Sequence, residues 1–137
     1  CRFFTVTAPT ELYTLSLPCA LPFFSASRRE ATGPDLEQAL AGVPSNAPVI
    51  LMDHQPRNAR QNATHQVDLQ LSGHTHGGLI VGFDRLFVKP NAGFVSGLYD
   101  VDGMQLYVNN GTALWPGMAI RLGRPSELTR MTLQRKE

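Results

Sequence analysis

The segment Leu71–Gly78 constrains this chain more than any other part of its sequence. It places two histidines, His74 and His76, between the end of an apolar run and a pair of glycines. Two imidazoles that leave one short loop in diverging directions suit two neighbouring metal ions, one histidine to each ion. The glycines Gly77 and Gly78 carry no side chains, so a bulky anion can come close to the backbone. We therefore interpret the histidines as metal ligands and the glycines as substrate-binding positions.

A third histidine follows a second apolar run. His54 comes shortly after Pro48–Met52, a continuous apolar stretch typical of a strand that is covered on both faces. If this strand and the one before the paired histidines are neighbours in one sheet, all three imidazoles converge at the edge where open α/β sheets bind ligands. Neutral imidazole is a good ligand for zinc, manganese, iron or cobalt. His54, His74 and His76 are thus the predicted metal ligands, and no residue is assigned as a catalytic acid, base or nucleophile.

Three other titratable residues near these runs receive structural interpretations. His65 lies in a polar segment and is interpreted as an ordinary surface histidine. Asp53 is either a partner that orients a metal-bound histidine or a cap at a strand end. Asp68 stands just before the apolar residues of the second strand, a position more typical of a cap than of a metal ligand.

The composition is that of a globular domain. A length of 137 residues, with 42% hydrophobic and 17% charged residues, suffices for one domain with a core. The net charge of +1, with acidic and basic residues interspersed, gives no sign of nucleic-acid binding. The basic residues near the end are interpreted as a solvated surface, and they are Arg121, Arg124, Arg130, Arg135 and Lys136.

No membrane span or secretory signal is evident in the sequence. The apolar run Leu12–Phe24 contains two prolines and is shorter than the ~20 residues that a spanning helix needs. It also lacks the charged start of a signal peptide. The two cysteines do not identify a compartment, so localisation stays open. Because the chain begins with Cys1 rather than Met, we expect it to be a piece of a longer protein.

The sequence changes character near residue 34. Residues 1–33 show no sustained periodicity and are interpreted as an irregular or foreign amino-terminal segment and linker, with a possible short strand at Phe3–Thr7. Residues 34–137 predict a mixed α/β fold in which buried strands at the site precede an antiparallel meander. The Asp-Gly pair that begins at Asp102, between two apolar runs, is a strong hairpin signal. The predicted elements are helices over Asp35–Ala41 and Arg57–His65, strands over Pro48–Met52 and Val67–Leu71, a hairpin of Gly93–Asp100 with Met104–Asn109, and a last strand over Glu127–Gln134.

These residues resemble the calcineurin-like metallophosphoesterase superfamily. Two motifs carry the resemblance: the strand-end histidine within Met52–Pro56, and Gly-His-x-His at Gly73–His76. The longer string Gly-His-Thr-His-Gly-Gly is similar to a bacterial branch, many members of which carry amino-terminal membrane helices. The resemblance covers roughly Pro34 to Leu133. It implies that this chain corresponds to the carboxy-terminal half of the family's αββα sandwich, one of its two sheets.

The resemblance implies a metal-dependent phosphoester hydrolase with a dinuclear centre of manganese, iron, zinc or cobalt. His54 and His74 would bind one ion, and His76 would reach the other. The complete family site adds three acidic or amide motifs, namely Asp-x-His, a Gly-Asp whose carboxylate bridges both ions, and Gly-Asn-His-Asp/Glu, and this sequence contains none of them. Three neutral ligands do not offset the charge of two dications. We therefore expect at most one ion in this chain and no hydrolysis by this polypeptide alone.

Two other interpretations stay open. The chain can be a non-catalytic metal-binding or interaction module that keeps its histidines as relics or as a single-metal site. Alternatively, a second copy or a complementing chain supplies the missing carboxylates. The substrate is expected to be a phosphoester, and the group attached to the phosphate is not identified. The Gly111–Thr112 loop is a further candidate for substrate contact.

Overall fold

The computed structural model describes residues 2–7, 13–16, 35–82, 88–114 and 119–134 of the chain. Its strands are β1 (Arg2–Thr7), β2 (Tyr13–Ser16), β3 (Val49–Met52), β4 (Leu69–Ser72), β5 (Gly97–Val101), β6 (Met104–Val108) and β7 (Thr129–Gln134). Its helices include α1 (Leu36–Leu40), α2 (Ala59–Asn62) and two short 3₁₀ turns, Pro56–Asn58 and His76–Gly78. The structure is therefore mixed α/β, as the sequence predicts.

Five strands form one mixed sheet in the order β2-β3-β4-β6-β5. β2, β3, β4 and β6 run parallel, and β5 runs antiparallel to β6. Val49 and Leu51 of β3 are fully buried, as expected of a parallel strand covered on both faces. Parallel strands end at the same edge of a sheet, so the residues that follow β3, β4 and β6 gather there. This edge carries the candidate site.

The predicted hairpin is present and belongs to this same sheet. Asp102 and Gly103 connect β5 to β6, and both have positive φ angles, of 53° and 90°. Such angles suit the tight turn that matches the twist of paired strands. β6 then pairs on its other side with β4 in parallel, with Leu69 opposite Gln105. The hairpin thus forms one end of the sheet and does not stand apart from the site strands.

The last strand has a partner that the sequence did not predict. β7 begins at Thr129 rather than Glu127 and pairs in parallel with β1, in a separate two-stranded sheet. It therefore does not continue an antiparallel meander from β5 and β6. β1 itself coincides with the short strand predicted at Phe3–Thr7, with one more residue at its start. The pairing joins opposite ends of the sequence, a long-range contact that local periodicity does not reveal.

Both helices are short. α1 begins at Leu36, one residue after the predicted start at Asp35, and α2 begins at Ala59, two residues after the predicted start at Arg57. Asp35 caps α1, because its side chain accepts a hydrogen bond of 3.0 Å from the backbone of Gln38. Gly42, which has a φ of 85°, follows the end of this helix. The second predicted helix is divided into a 3₁₀ turn that starts at Pro56 and the single turn α2. Proline suits a first helical turn because it has no N–H to donate.

The hydrophobic core is built by residues of the sheet, of both helices and of the loops. Its buried members are Leu36, Val49, Leu51, Ala59, Val67, Phe94, Val101, Met104, Leu106 and Val108. The predicted boundary between residues 33 and 34 lies outside the described residues, as do most of Leu12–Phe24 and the terminal Arg135 and Lys136. The division into an amino-terminal segment and an α/β part stays a prediction.

Candidate metal centre

His54 and His74 lie beside each other because their strands are hydrogen-bonded neighbours. β3 and β4 are parallel, and each histidine comes two residues after the end of its strand. Backbone hydrogen bonds continue the pairing past both strands, from Asp53 N–H to the carbonyl of Leu71 at 3.2 Å and from Gly73 N–H to the carbonyl of His54 at 3.1 Å. The convergence that the sequence predicts for these two histidines is therefore present in the structure.

The two rings are spaced as two ligands of one ion would be. Their centroids are 5.2 Å apart with an angle of 81° between the ring planes. Zinc binds imidazole nitrogen at 2.0–2.1 Å, so two rings on one tetrahedral ion have centroids about 5 Å apart. Both side chains are also exposed, which leaves them accessible to an ion. The spacing and exposure fit a shared divalent metal.

The loop that carries His74 and His76 is held from inside by Thr75. Thr75 is buried, donates its hydroxyl proton to the carbonyl of Val95, and accepts the N–H of Gly77 at 3.4 Å. The two histidines have positive φ angles, 69° at His74 and 49° at His76. Such conformations are uncommon for residues other than glycine and cluster at functional sites. The sequence interpretation missed Thr75, although threonine side chains commonly hydrogen-bond to backbone groups a few residues away.

Partial desolvation, which still leaves the side chain accessible to solvent, lowers the pKa of His74 below its ordinary value. The charges of His54, His76 and Arg57 lower it further, because a protonated imidazole would be repelled by its cationic neighbours. Each effect favours the neutral imidazole, the form that binds metals.

His76 is half-buried and has a different set of neighbours. Burial lowers its pKa, and the charges of Arg121 and His54 lower it further. A hydrogen bond to the backbone carbonyl of Ala113 has the opposite effect and raises the pKa. Since burial is the largest of these causes, the net result is again a lowered pKa and a neutral ring.

These lowered pKa values predict that the metal-free chain loses stability in mild acid. The unfolded state takes up protons near the ordinary histidine pKa of 6.5, whereas the folded state resists them. The stabilisation is therefore complete above that pKa and is lost as the pH falls from it toward the folded values. The urea midpoint, measured with a chelator present, is expected to fall between about pH 7.5 and about pH 5.5.

If the urea midpoint of His74→Gln falls less with pH than that of the wild type, His74 is one of the groups responsible for the loss of stability in acid. His65→Gln is the matched control, because His65 precedes β4 and lies at the opposite end of that strand from His74. An equal dependence on pH in the wild type and in His74→Gln would contradict the assignment.

A buried polar network fixes the ends of β3 and β4. The Asp53 carboxylate accepts the N–H of Gln55 at 3.1 Å and the side-chain amide of Asn62 at 3.4 Å, which matches the cap interpretation. Asn62 also donates to Gln70 at 3.0 Å, and Gln70 donates to the hydroxyl of Ser72 at 3.0 Å. That hydroxyl donates in turn to the carbonyl of Asp53 at 2.7 Å. The network therefore joins α2 to both strand ends that carry the histidines.

Asp68 acts at the opposite end of the same strands. Its carboxylate accepts the N–H of Val49 at 2.8 Å, which agrees with the cap predicted from the sequence.

The two predicted substrate glycines are buried, and Gly77 packs against Asn110. A Cβ added to Gly77 would lie 2.4 Å from Asn110 Oδ1, too close for any side chain. Asn110 is 6% exposed, and this oxygen has no hydrogen-bond partner among the described residues. The next residue, Gly111, would bring a Cβ to 4.0 Å from Nδ1 of His76. The loop after β6 thus lies against the histidine loop, and substrate contact by Gly77 and Gly78 stays a prediction.

Arg121 and Glu127 hold that loop, and neither was predicted. Arg121 is half-buried and donates to the carbonyls of Asn110 at 2.8 Å and Ala113 at 2.6 Å. Its interpretation as a solvated surface residue is therefore wrong. The buried carboxylate of Glu127 accepts the N–H of Asn110 at 3.1 Å and the hydroxyl proton of Tyr107. A run of basic residues with scattered acids resembles solvated surface, so the sequence carries no local signal for these contacts.

The described part of the chain brings two candidate metal ligands together but does not complete a coordination shell. Across residues 35–82, 88–114 and 119–133, no three His, Cys, Asp or Glu side chains are arranged to hold an ion. His54 and His74 fit two positions on one ion, as their spacing shows. No carboxylate of these residues joins them there.

Similar proteins share one description. The chain is 38% identical to an uncharacterized metallophosphoesterase of Helicobacter pylori strain J99, over 117 residues that cover 84% of this chain and 31% of that protein. It is 41% identical over 105 residues to a transmembrane protein with metallophosphoesterase domain of Bos taurus, covering 74% of this chain and 23% of that protein. It is 34% identical over 104 residues to the uncharacterized metallophosphoesterase YkuE of Bacillus subtilis, covering 74% and 36%.

The chain thus spans about a third of the length of the Helicobacter relative, 31%. It matches the carboxy-terminal portion of its relatives. No protein-family model and no solved structure matches the sequence. Within the described ranges, no helix has the length and apolar character needed to cross a membrane.

Proposed function

Because this chain belongs to the calcineurin-like metallophosphoesterase superfamily, we propose that it supplies the histidine-bearing part of a metal-dependent phosphoester hydrolase. The names of its relatives support phosphoester hydrolysis as the general activity and dependence on divalent metals. Substrates are accordingly phosphoesters, and the group attached to the phosphate is open.

The ring pair at the sheet edge is the observation that carries this proposal. His54 and His74 are exposed, 5.2 Å apart between centroids, and placed at the carboxyl ends of adjacent parallel strands. We propose that they share one ion and that His76, two residues after His74, faces a second ion in the complete site. The lowered pKa values of His74 and His76 support this role, because they keep the ligands neutral at physiological pH.

His54, His74 and His76 would hold the metals of such a site, and a bound pair of divalent ions would supply an activated water and stabilisation of charge on the phosphoryl oxygens. The histidines of this chain bind and orient the ions, but neutral imidazole rings do not offset the charge of two divalent cations. The described residues bring no carboxylate to them. We therefore propose that this polypeptide holds at most one ion, manganese, iron, zinc or cobalt, and does not hydrolyse phosphoesters alone.

Metal titration of the chain tests the proposal. We expect calorimetry with Zn²⁺ to show one bound ion, and His54→Ala and His74→Ala each to weaken binding by at least about tenfold, or about 1.4 kcal/mol. His65→Ala is the control and should bind as the wild type does, because His65 lies at the other end of β4. Binding that survives both substitutions would remove the shared-ion site.

A generic aryl phosphodiester separates the enzyme from a non-catalytic module. The missing third ligand among the described residues favours the module as the second candidate. Hydrolysis by a longer protein that joins these residues to upstream carboxylate motifs, lost in His76→Ala with the fold retained, supports the enzyme. One ion bound without any hydrolysis by such a protein supports the module. Hydrolysis by this chain only when it is dimeric or mixed with a partner would indicate that the carboxylates come from a second chain.

A further inference from the structure

The hydroxyl of Tyr99, in the edge strand β5, holds the turn that precedes this strand. It accepts the N–H of Val95 at 3.1 Å and the N–H of Ser96 at 3.2 Å, and it donates to the carbonyl of Ser96 at 3.1 Å. These three bonds use the proton and the acceptor capacity of the phenolic oxygen. The ring itself packs edge-on against Phe94, with centroids 5.1 Å apart. The Tyr99 side chain therefore orients the peptide unit between Val95 and Ser96.

This peptide unit connects the turn before β5 to the histidine loop. Its N–H, which belongs to Ser96, donates to Tyr99. Its carbonyl, which belongs to Val95, accepts the hydroxyl proton of Thr75 at 2.5 Å. A trans peptide is planar, so its N–H and its C=O point in opposite directions. Holding the N–H on one side therefore aims the carbonyl at Thr75 on the other.

Thr75 separates His74 from His76 in the chain and is 2% exposed. Both histidines have positive φ angles, a conformation that costs free energy and persists only where the surrounding structure enforces it. The bond from Thr75 to Val95 ties the loop to a part of the chain 20 residues away. It is therefore a contact that can hold both histidines in this conformation.

We propose that Tyr99 is a positioning residue that holds His74 and His76 in their positive-φ conformation. It acts through the peptide carbonyl that it aims at Thr75. His74 is thereby kept beside His54, whose ring centroid lies 5.2 Å away. This inference rests on the proposed function only for the use of the histidines as ligands, since the conformation of the loop is a property of the metal-free chain. Groups that orient metal ligands without touching the ion commonly affect metal affinity.

Substitutions that each alter one hydroxyl test this series of contacts. Tyr99→Phe keeps the ring beside Phe94 and removes only the hydroxyl. Thr75→Val removes the second hydroxyl with little change of shape, whereas Thr75→Ser keeps it. The matched control is Thr64→Val, because the exposed Thr64 donates its hydroxyl proton to the carbonyl of Gln61 at 2.8 Å, just after α2.

Proton NMR of the metal-free chain reports the conformation of the loop. A φ of about +60° brings the N–H and the Hα of one residue close together, so we expect strong NOEs between these protons within His74 and within His76. We also expect NOEs between the ring protons of His54 and His74. Both sets should weaken in Tyr99→Phe and in Thr75→Val, and they should persist in Thr75→Ser and in the control. Unchanged amide signals of β4 and β6 show that each variant is folded.

Zinc calorimetry of the same variants is the second readout. Loss of an orienting partner typically weakens metal binding about 10–100-fold, and we expect this range for Tyr99→Phe and Thr75→Val, with Thr75→Ser close to the wild type. Histidine NOEs that Tyr99→Phe leaves unaltered would show that the hydroxyl stabilises only its own turn, and would overturn the inference. An unaltered zinc affinity in a variant whose loop has changed would overturn it as well. If the NOEs respond as expected while the wild type binds no zinc, the role of Tyr99 in the loop stands and the proposed metal site fails.

Discussion

Replacing Gly77 with alanine is expected to destabilise the fold by about 2–5 kcal/mol. The backbone there has a φ of 67°, and a left-handed conformation costs a residue with a Cβ about 1–2 kcal/mol. The new Cβ would lie 2.4 Å from Asn110 Oδ1, and overpacking of a buried contact adds about 1–3 kcal/mol. Since small domains are stable by only about 5–15 kcal/mol, such a loss is large. Urea unfolding at constant m-value measures it.

Two further substitutions separate the backbone cost from the collision. Gly42→Ala has a comparable φ of 85° and no atom within 4 Å, so it should lose only the backbone part. Adding Asn110→Ala to Gly77→Ala should recover the steric part, because the Cβ of residue 110 lies 3.5 Å from the new methyl group. Equal losses in Gly77→Ala and Gly42→Ala would show that Asn110 does not fill the space beside Gly77.

Removing the Glu127 carboxylate is expected to cost about 2–4 kcal/mol. Glu127 is 9% exposed and accepts from the hydroxyl of Tyr107 and, at 3.1 Å, from the N–H of Asn110. In Glu127→Ala these buried donors lose their acceptor, at about 1–3 kcal/mol each, although Tyr107 keeps the hydroxyl of Thr129 at 2.7 Å.

The Glu127 substitution has two matched comparisons. Glu127→Gln keeps the shape and one carbonyl oxygen, so we expect a loss smaller than that of Glu127→Ala. Glu37→Ala removes an exposed carboxylate from α1 and should change the urea midpoint little. If Glu127→Ala changed the urea midpoint as little as Glu37→Ala does, the stability of the loop after β6 would not depend on the Glu127 carboxylate.

The sequence predicted those parts of the fold that local patterns determine. The apolar run of β3 and the Asp-Gly turn between β5 and β6 are short-range signals, and both were confirmed. The convergence of His54 and His74 followed from one further assumption, that their strands are neighbours. The partner of β7 was beyond reach, because strand pairing between distant segments leaves no periodic trace in either one.

The supporting residues of the site were missed for a related reason. Asn110, Arg121 and Glu127 act through backbone carbonyls and amides, and these contacts exist only after the loops meet. Arg121 looked like one basic residue among several, since residue type alone does not distinguish a buried guanidinium from a solvated one.

The wholly buried Gln70 limits the register in which β3 and β4 can pair. A slip by one residue would turn its amide to the opposite face and away from Asn62, and would also take the Ser72 hydroxyl away from the carbonyl of Asp53, leaving polar groups unpaired in the interior. Two strands with only apolar side chains can pair in several registers, whereas the Gln70 amide is hydrogen-bonded in only one of them. The alignment that brings the imidazoles of His54 and His74 together at the surface therefore depends on the interior side chain of Gln70.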